Sequence, residues 1–129
     1  MIWPFRRKSK KRMARIVIDE PITSSTRVSI IKALKQIEDR EFPALILRID
    51  SPGGTVGDSQ EIYSAIKRLK DKGCKVVASF GNISASGGVY IGVASDKIVA
   101  NPGTITGSIG VIIRAVSYTH LTLPTNREV

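Results

Sequence analysis

Histidine and cysteine each occur once in these 129 residues, and each scarcity excludes a kind of chemistry. A single cysteine can form neither an internal disulfide nor a cysteine-cluster metal centre, and it points to a reducing compartment. Cys74 reads as a small buried residue at the start of a strand. The single histidine, His120, lies in a C-terminal stretch without periodicity, so a Ser–His–Asp triad is not expected. No apolar run reaches the ~20 residues of a membrane-spanning helix. What is present is a 42% apolar composition, enough for the core of one domain, on a length that suits one.

The charge is concentrated at one end. Of the net +9, residues 1–15 carry seven basic side chains (Arg6, Arg7, Lys8, Lys10, Lys11, Arg12 and Arg15) and no acid, which leaves +2 for the rest. Residues 1–14 therefore read as a basic, flexible N-terminal segment. Trp3 and Phe5 beside these cations suit an anionic membrane surface, where each cation contributes roughly 1 kcal/mol. The apolar stretch is too short for a secretory signal. A phosphate-binding arm and a plain solvated leader are the competing readings of such a run, and no nucleic-acid partner is assigned.

Beyond this segment, strands and helices alternate. Ile16-Val17-Ile18 is β-branched and predicts a strand over Arg15–Asp19, which Pro21 ends. A helix capped by Ser24 or Ser25 is expected to run to about Arg40, with Ile30, Leu34 and Ile37 on its core stripe. Ala44–Ile49 is a nearly continuous apolar strand of the buried, parallel kind. A second helix is expected from about Asp58 to Lys72, striped by Ile62, Ile66 and Leu69 and stopped by Gly73. Strands are expected next at Lys75–Phe80, Lys97–Ala100 and Ile109–Ile113, with a short helical segment over Val89–Ala94. Alternation of this kind predicts a layered α/β fold. Residues 117–129 break the pattern and read as a foreign or disordered tail, frame-shifted or read through from adapter sequence.

Two glycine-rich turns carry the candidate chemistry. Ser51-Pro52-Gly53-Gly54 comes directly after a buried strand, and paired glycines let backbone N–H groups face outward with no Cβ in the way. Such a donor aimed at a developing oxyanion contributes about 3 to 4 kcal/mol to the transition state. Ser84-Ala85-Ser86-Gly87-Gly88 also comes after a strand and opens a short helix, where the backbone field favours an attacking oxygen. Taken singly, each turn could equally be a plain tight turn or a serine N-cap. The second is not a Gly-x-Ser-x-Gly elbow, and neither is a phosphate-binding loop. With no histidine base at hand, a lysine can serve a serine nucleophile if desolvation lowers its pKa enough for it to be neutral. Lys97 reads as a solvated strand-end residue. No metal or dinucleotide motif is present and no cofactor is expected; Asp50 reads as a turn hydrogen-bonding residue.

Asp50-Ser51-Pro52-Gly53-Gly54, Ala85-Ser86-Gly87-Gly88 and Asn101-Pro102-Gly103-Thr104-Ile105-Thr106-Gly107-Ser108-Ile109-Gly110-Val111 together resemble the signal peptide peptidase A family, peptidase S49, of the Clp protease/crotonase superfamily. The resemblance runs from about Arg15 to Arg114 and marks residues 15–116 as a partial peptidase domain. It implies a Clp protease/crotonase-like layered fold of repeated β-β-α units, incomplete at the C-terminus. It also implies a serine endopeptidase that hydrolyses membrane-derived signal peptides with a Ser–Lys dyad. Ser86 matches the nucleophile, Gly53 and Gly87 match the oxyanion-hole amides, and Ser108 matches the serine that orients the lysine. The family's lysine lies beyond Gly110 in a Lys-Ser-Gly context that this chain does not contain, so the 129 residues alone are expected to be inactive. Family members form ring or dome homo-oligomers. The short basic N-terminus is similar to that of cyanobacterial and plastid-type members, which implies membrane association on the cytoplasmic or thylakoid side. A crotonase-like acyl-CoA enzyme and a non-catalytic membrane scaffold are the alternatives.

Overall fold

The computed structural model describes residues 12–107. Most of the basic N-terminal segment, Ser108, the strand expected over Ile109–Ile113 and residues 117–129 lie outside the described residues. The chain runs β1 (Met13–Ile18), α1 (Ser24–Asp39), β2 (Ala44–Ser51), α2 (Val56–Asp71), β3 (Lys75–Ala85), α3 (Gly87–Val93), β4 (Lys97–Val99) and β5 (Ile105–Gly107).

Both predicted helical stripes are buried: Ile30, Leu34 and Ile37 on α1, and Ile62, Ile66 and Leu69 on α2. The cap of α1 is Thr23, just before the two serines. Its hydroxyl accepts the Thr26 N–H at 3.3 Å, and the Thr26 hydroxyl accepts the Thr23 N–H at 3.2 Å. That reciprocal pair satisfies two N–H groups that a helix start leaves open, more than a lone serine hydroxyl can. Helix α2 begins at Val56, so Asp58 falls in its first turn, where the helix dipole favours a carboxylate. Gly73, at φ +100, lets the chain leave α2 in the left-handed conformation.

The strands form one sheet in the order β1-β2-β3-β4, all parallel, and β5 pairs in parallel with the end of β3. In β2, Leu45, Leu47, Ile49 and Ser51 are buried while Ala44, Ile46, Arg48 and Asp50 are half-buried. Helices α1 and α2 pack against each other, and the sealed residues of β1, β2 and β3 form the core with their stripes. Among the described residues the sheet is sealed on one face only, although the apolar run of β2 suggests burial on both. The layered α/β class is the one the alternation predicts. Among the described residues one strand precedes each helix, and successive strands without a helix between them occur only after α3.

Parallel pairing with helical crossovers has a consequence for chemistry. The C-terminal ends of β2 and β3 and the N-termini of α2 and α3 all lie along one edge of the sheet, the usual place for a binding crevice.

Two carboxylates tie the frame together, one in the first turn of α2 and one just before β4. Asp58 accepts hydrogen bonds from the Thr55 hydroxyl and from Arg27 Nε, the latter at 2.7 Å, and these hold its carboxyl below the usual range. Asp96 accepts the Val76 N–H at 2.8 Å and faces Lys70 Nζ at 3.6 Å, which lowers it likewise. A carboxylate whose folded pKa lies below its unfolded value stabilises the fold above the unfolded value, and the contribution is lost as pH falls through the folded one. The melting temperature should therefore fall as pH drops below about 4, the ordinary aspartate pKa. Asp96→Asn should flatten that acid limb. A melting curve in which the variant keeps the full acid dependence removes Asp96 as a contributor.

Candidate active site

The two glycine turns meet. Ser51 at the end of β2 pairs with Ser84 near the end of β3, after a register shift between Ile49 and Ser51. The turns that continue from them leave the same edge of the sheet side by side. Gly53 sits at φ +102, and a Cβ there would lie 2.8 Å from Ala85 O, from Gly87 N and from Ser86 Cβ. Only a glycine allows this approach. Gly87 is pressed from the other side: a Cβ on it would lie 2.5 Å from Ser59 Oγ, whose hydroxyl donates to Thr55 O at 2.9 Å.

Ser86 forms the corner between β3 and α3, at φ 52 and ψ −117. A non-glycine residue in such a sparsely populated region costs on the order of 1–3 kcal/mol and persists only when its surroundings hold it. Both its peptide groups are held. Its N–H donates to Gly107 O at 2.8 Å, and its C=O accepts the Tyr90 N–H at 3.0 Å. The side chain is half-buried and its hydroxyl has no hydrogen-bond partner among the described residues. A strained strand-to-helix corner that presents a serine is the device of a nucleophile elbow, reached here without the Gly-x-Ser-x-Gly sequence.

The amides around Ser86 are not equivalent. The Gly87 N–H has no acceptor among the described residues. The Gly53 N–H donates to Ser51 Oγ at 3.1 Å, and the Ser51 hydroxyl in turn donates to Glu20 O at 2.7 Å. An oxyanion could take the Gly53 amide only in place of Ser51. The Gly54 N–H, one residue on, has no acceptor among the described residues. Gly54 packs so closely on the segment before α1 that a Cβ would lie 2.0 Å from Ile22 O, while Ile22 N–H donates to Gly53 O at 3.0 Å and Thr55 N–H to Ile22 O at 3.0 Å. Sequence reasoning assigns no role at the site to Ser51, and treats Gly54 only as one of a glycine pair whose N–H groups can face outward. The spacing Ser-x-Gly, which favours a hydroxyl accepting the amide two residues on, is the available signal for Ser51.

No described lysine approaches this edge. Of the seven, Lys32 and Lys35 sit eight or more residues into α1, Lys67 and Lys70 eight or more beyond Ser59 on α2, and Lys72 just past the end of α2. Lys75 opens β3 at its far end, and Lys97 pairs with Val77, nine residues before Ser86 and so roughly 30 Å along the strand. Asp50 Oδ1 accepts the Ile83 N–H at 3.1 Å, a bond from β2 across to β3 in place of the local turn bond expected. Among the described residues, no cluster of three His, Cys, Asp or Glu could hold a metal ion. Ser108 is next to Gly107 in sequence and lies outside the described residues. A groove of about 430 Å³ between α1 and α2, lined by Ile31, Leu34, Ala65 and Leu69 among others, does not reach Ser86.

The chain is similar to known proteins in sequence and in fold. The model of peptidase family S49 matches residues 68–123. The chain is 61% identical over 114 residues to a candidate protease of Synechocystis sp., covering 88% of this chain and 41% of that protein. It is 40% identical over 94 residues to a candidate signal peptide peptidase SppA of Enterococcus faecium, covering 72% of this chain and 27% of that one. It thus spans less than half the length of these curated relatives. Among solved structures, a serine-to-alanine variant of the 1510-N membrane-bound stomatin-specific protease superposes with a TM-score of 0.67 at 25% identity, over 83% of this chain and 51% of that one. ClpP1 from Listeria monocytogenes shares the fold, with a TM-score of 0.58 at 24% identity over 71% of this chain and 52% of that one.

The contact at Gly53 yields a stability prediction. Gly53→Ala should destabilise the domain by more than about 1 kcal/mol, because the new methyl meets backbone atoms at a left-handed position. Gly57→Ala, in the first turn of α2 with nothing within 4 Å, should be neutral or stabilising by up to about 1 kcal/mol. Chemical denaturation of both variants tests the pair; equal midpoints would show that the two turns do not press together in solution.

Proposed function

The chain belongs to peptidase family S49, and from that premise we propose that it carries the nucleophilic part of a serine endopeptidase acting through a Ser–Lys dyad. Ser86 is the nucleophile. The observation that carries this reading is the strained corner at Ser86, pressed against Gly53, with the Gly87 amide lacking an acceptor among the described residues. An acyl-CoA enzyme that uses only an oxyanion hole has no need of a serine held in this way, and neither does a scaffold.

In the proposed reaction Ser86 Oγ attacks the scissile carbonyl while its proton passes to a neutral lysine. The carbonyl oxygen, now negative, accepts the Gly87 N–H and an amide of the Gly53-Gly54 pair. Gly53 can serve once its N–H leaves Ser51; Gly54 serves without breaking a bond. Collapse expels the amine, which takes the proton from the lysine. Water then repeats the sequence on the acyl-serine and regenerates Ser86. The lysine is assigned outside the described residues, since none of the seven described lysines lies at the edge that holds Ser86. Ser108 is the residue we assign to orient it.

Signal peptides are the substrate class we infer, in keeping with the name of the Enterococcus relative. Residues 1–14 are assigned to an anionic membrane surface on the cytoplasmic or thylakoid side. No helix among the described residues is long and apolar enough to cross a membrane. The intact protein is proposed to assemble as a homo-oligomer. Ile98, Val99 and Ile105, 44%, 55% and 65% exposed on β4 and β5, offer apolar surface for it.

A fluorophosphonate probe read by intact-protein mass spectrometry should label the full-length protein once and leave Ser86→Ala unlabelled, while the 129-residue chain alone should cleave no peptide. Equal labelling of the alanine variant would falsify the assignment of Ser86. For the membrane assignment, sedimentation with vesicles rich in anionic lipid should pull down the chain and lose it when residues 1–12 are removed; equal recovery of both forms rejects it.

A further inference from the structure

We propose that Thr104 is a positioning residue that latches β5 onto β3 and thereby holds Ser86 in its reactive backbone conformation. The proposal rests on the reading of Ser86 as nucleophile for its catalytic meaning, although the latch itself is a statement about geometry. Strand β3 is paired on its outer edge twice, with β4 over Val77–Ser79 and with β5 over Ile83–Ala85. Phe80, Gly81 and Asn82 have no strand partner there. The Thr104 hydroxyl fills that gap: it donates to Gly81 O at 2.9 Å and accepts the Asn101 N–H at 3.0 Å. One hydroxyl thus closes the Asn101–Thr104 turn, reinforced by the Thr104 N–H to Asn101 O bond at 3.0 Å, and fastens that turn to the sheet.

Thr104 leads directly into the three residues of β5, which end at Gly107, whose carbonyl accepts the Ser86 N–H at 2.8 Å. Gly107 itself sits at φ +110, so the strand ends in a conformation suited to glycine. A three-residue strand with Ile105 and Thr106 exposed has little packing to keep it in register. The latch at one end and the Ser86 amide at the other are therefore coupled. On the opposite side Gly81 is closed off by Asp50: a Cβ there would lie 2.9 Å from the Asp50 carboxyl carbon. Gly81 is gripped between Asp50 and Thr104, and the strand leading to Ser86 is fixed from both flanks.

The test is native-state amide exchange by NMR on the 129-residue chain. Thr104→Val keeps the shape and removes the hydroxyl. It should speed exchange of the Ser86 amide about tenfold, the effect of losing one hydrogen bond. Core amides such as Leu47 should keep their rates, and Thr104→Ser, which keeps the hydroxyl, should restore Ser86. Wild-type exchange at Ser86 in Thr104→Val overturns the latch. Should the valine variant not fold, the wild-type chain still decides: Ser86 should open together with the Ile105–Gly107 segment, and opening of Ser86 at a different free energy overturns the proposal. In the full-length protein, Thr104→Val should slow fluorophosphonate labelling with Thr104→Ser near wild type. Labelling of Ser86→Ala removes the nucleophile reading and leaves the exchange result to judge the latch on its own.

Discussion

A serine held at positive φ is the constraint around which this edge of the molecule is organised. The conformation is unfavourable by itself, by on the order of 1–3 kcal/mol, so the neighbouring structure must supply what serine does not. The supply comes from three directions: Gly107 O takes the N–H, Tyr90 donates to the C=O, and Gly53 lies so close that no side chain fits between the turns. Gly87 must lack a side chain for a related reason, because Ser59 occupies the place where its Cβ would stand. The glycines that look like turn punctuation in the sequence are here the condition for two backbones to touch.

The parallel topology makes that touch possible. In an antiparallel sheet the ends of neighbouring strands point to opposite edges; here β2 and β3 both arrive from the same side and release their turns together. The register shift between Ile49 and Ser51 then brings Ser51 opposite Ser84, and the buried Ser51 hydroxyl ties the first turn to the segment before α1 through Glu20 O. The Arg27–Asp58 pair, at 2.7 Å, and the Thr55–Asp58 bond fasten the starts of α1 and α2 to each other beside that turn. The frame is thus cross-tied beside the place where the chemistry is proposed, which suits the preorganisation an oxyanion site requires.

Legibility in the sequence tracks the range of the interactions. The stripes of α1 and α2 and the strands β2 and β3 can be read because apolar periodicity is local and the core simply buries it. The end of α2 can be read because Gly73 has a local reason to be there. What escapes depends on partners far along the chain. Strand β3 continues past Phe80 to Ala85 because Asp50 and Thr104 satisfy it from 33 and 23 residues away. Strand β5 lies in a stretch to which the sequence pattern assigns no element, because its three residues pair with β3 and not with a neighbour in sequence. The capping box at Thr23 needs Thr26 as its reciprocal partner, a pairing less familiar than Ser or Thr with Glu. At the site, Ser86, Gly53 and Gly87 are marked by their motifs and stand in contact, but the donation of the Gly53 amide to Ser51 depends on peptide orientation, which spacing alone does not determine.

The distribution of charge bears on where the base must come from. The edge that holds Ser86 carries Asp50, Asp58 and Glu20 with Arg27, while the described lysines lie further along α1 and α2 or at the starts of β3 and β4. Arginine cannot serve as a base, because its guanidinium does not give up its proton in proteins. Asp50 already accepts the Ile83 N–H at 3.1 Å, and its loss would loosen the strand that carries Ser86. An unhydrated lysine placed among several carboxylates would also be held protonated by them, the opposite of what proton abstraction needs. A base for the proposed reaction would therefore have to reach Ser86 on the side away from these carboxylates, within a packed and desolvated setting. Strand β5 is the described element that ends at Ser86 on its outer flank, bonded to it through Gly107, so the chain that continues from β5 starts from the place where such a base and its orienting hydroxyl are needed.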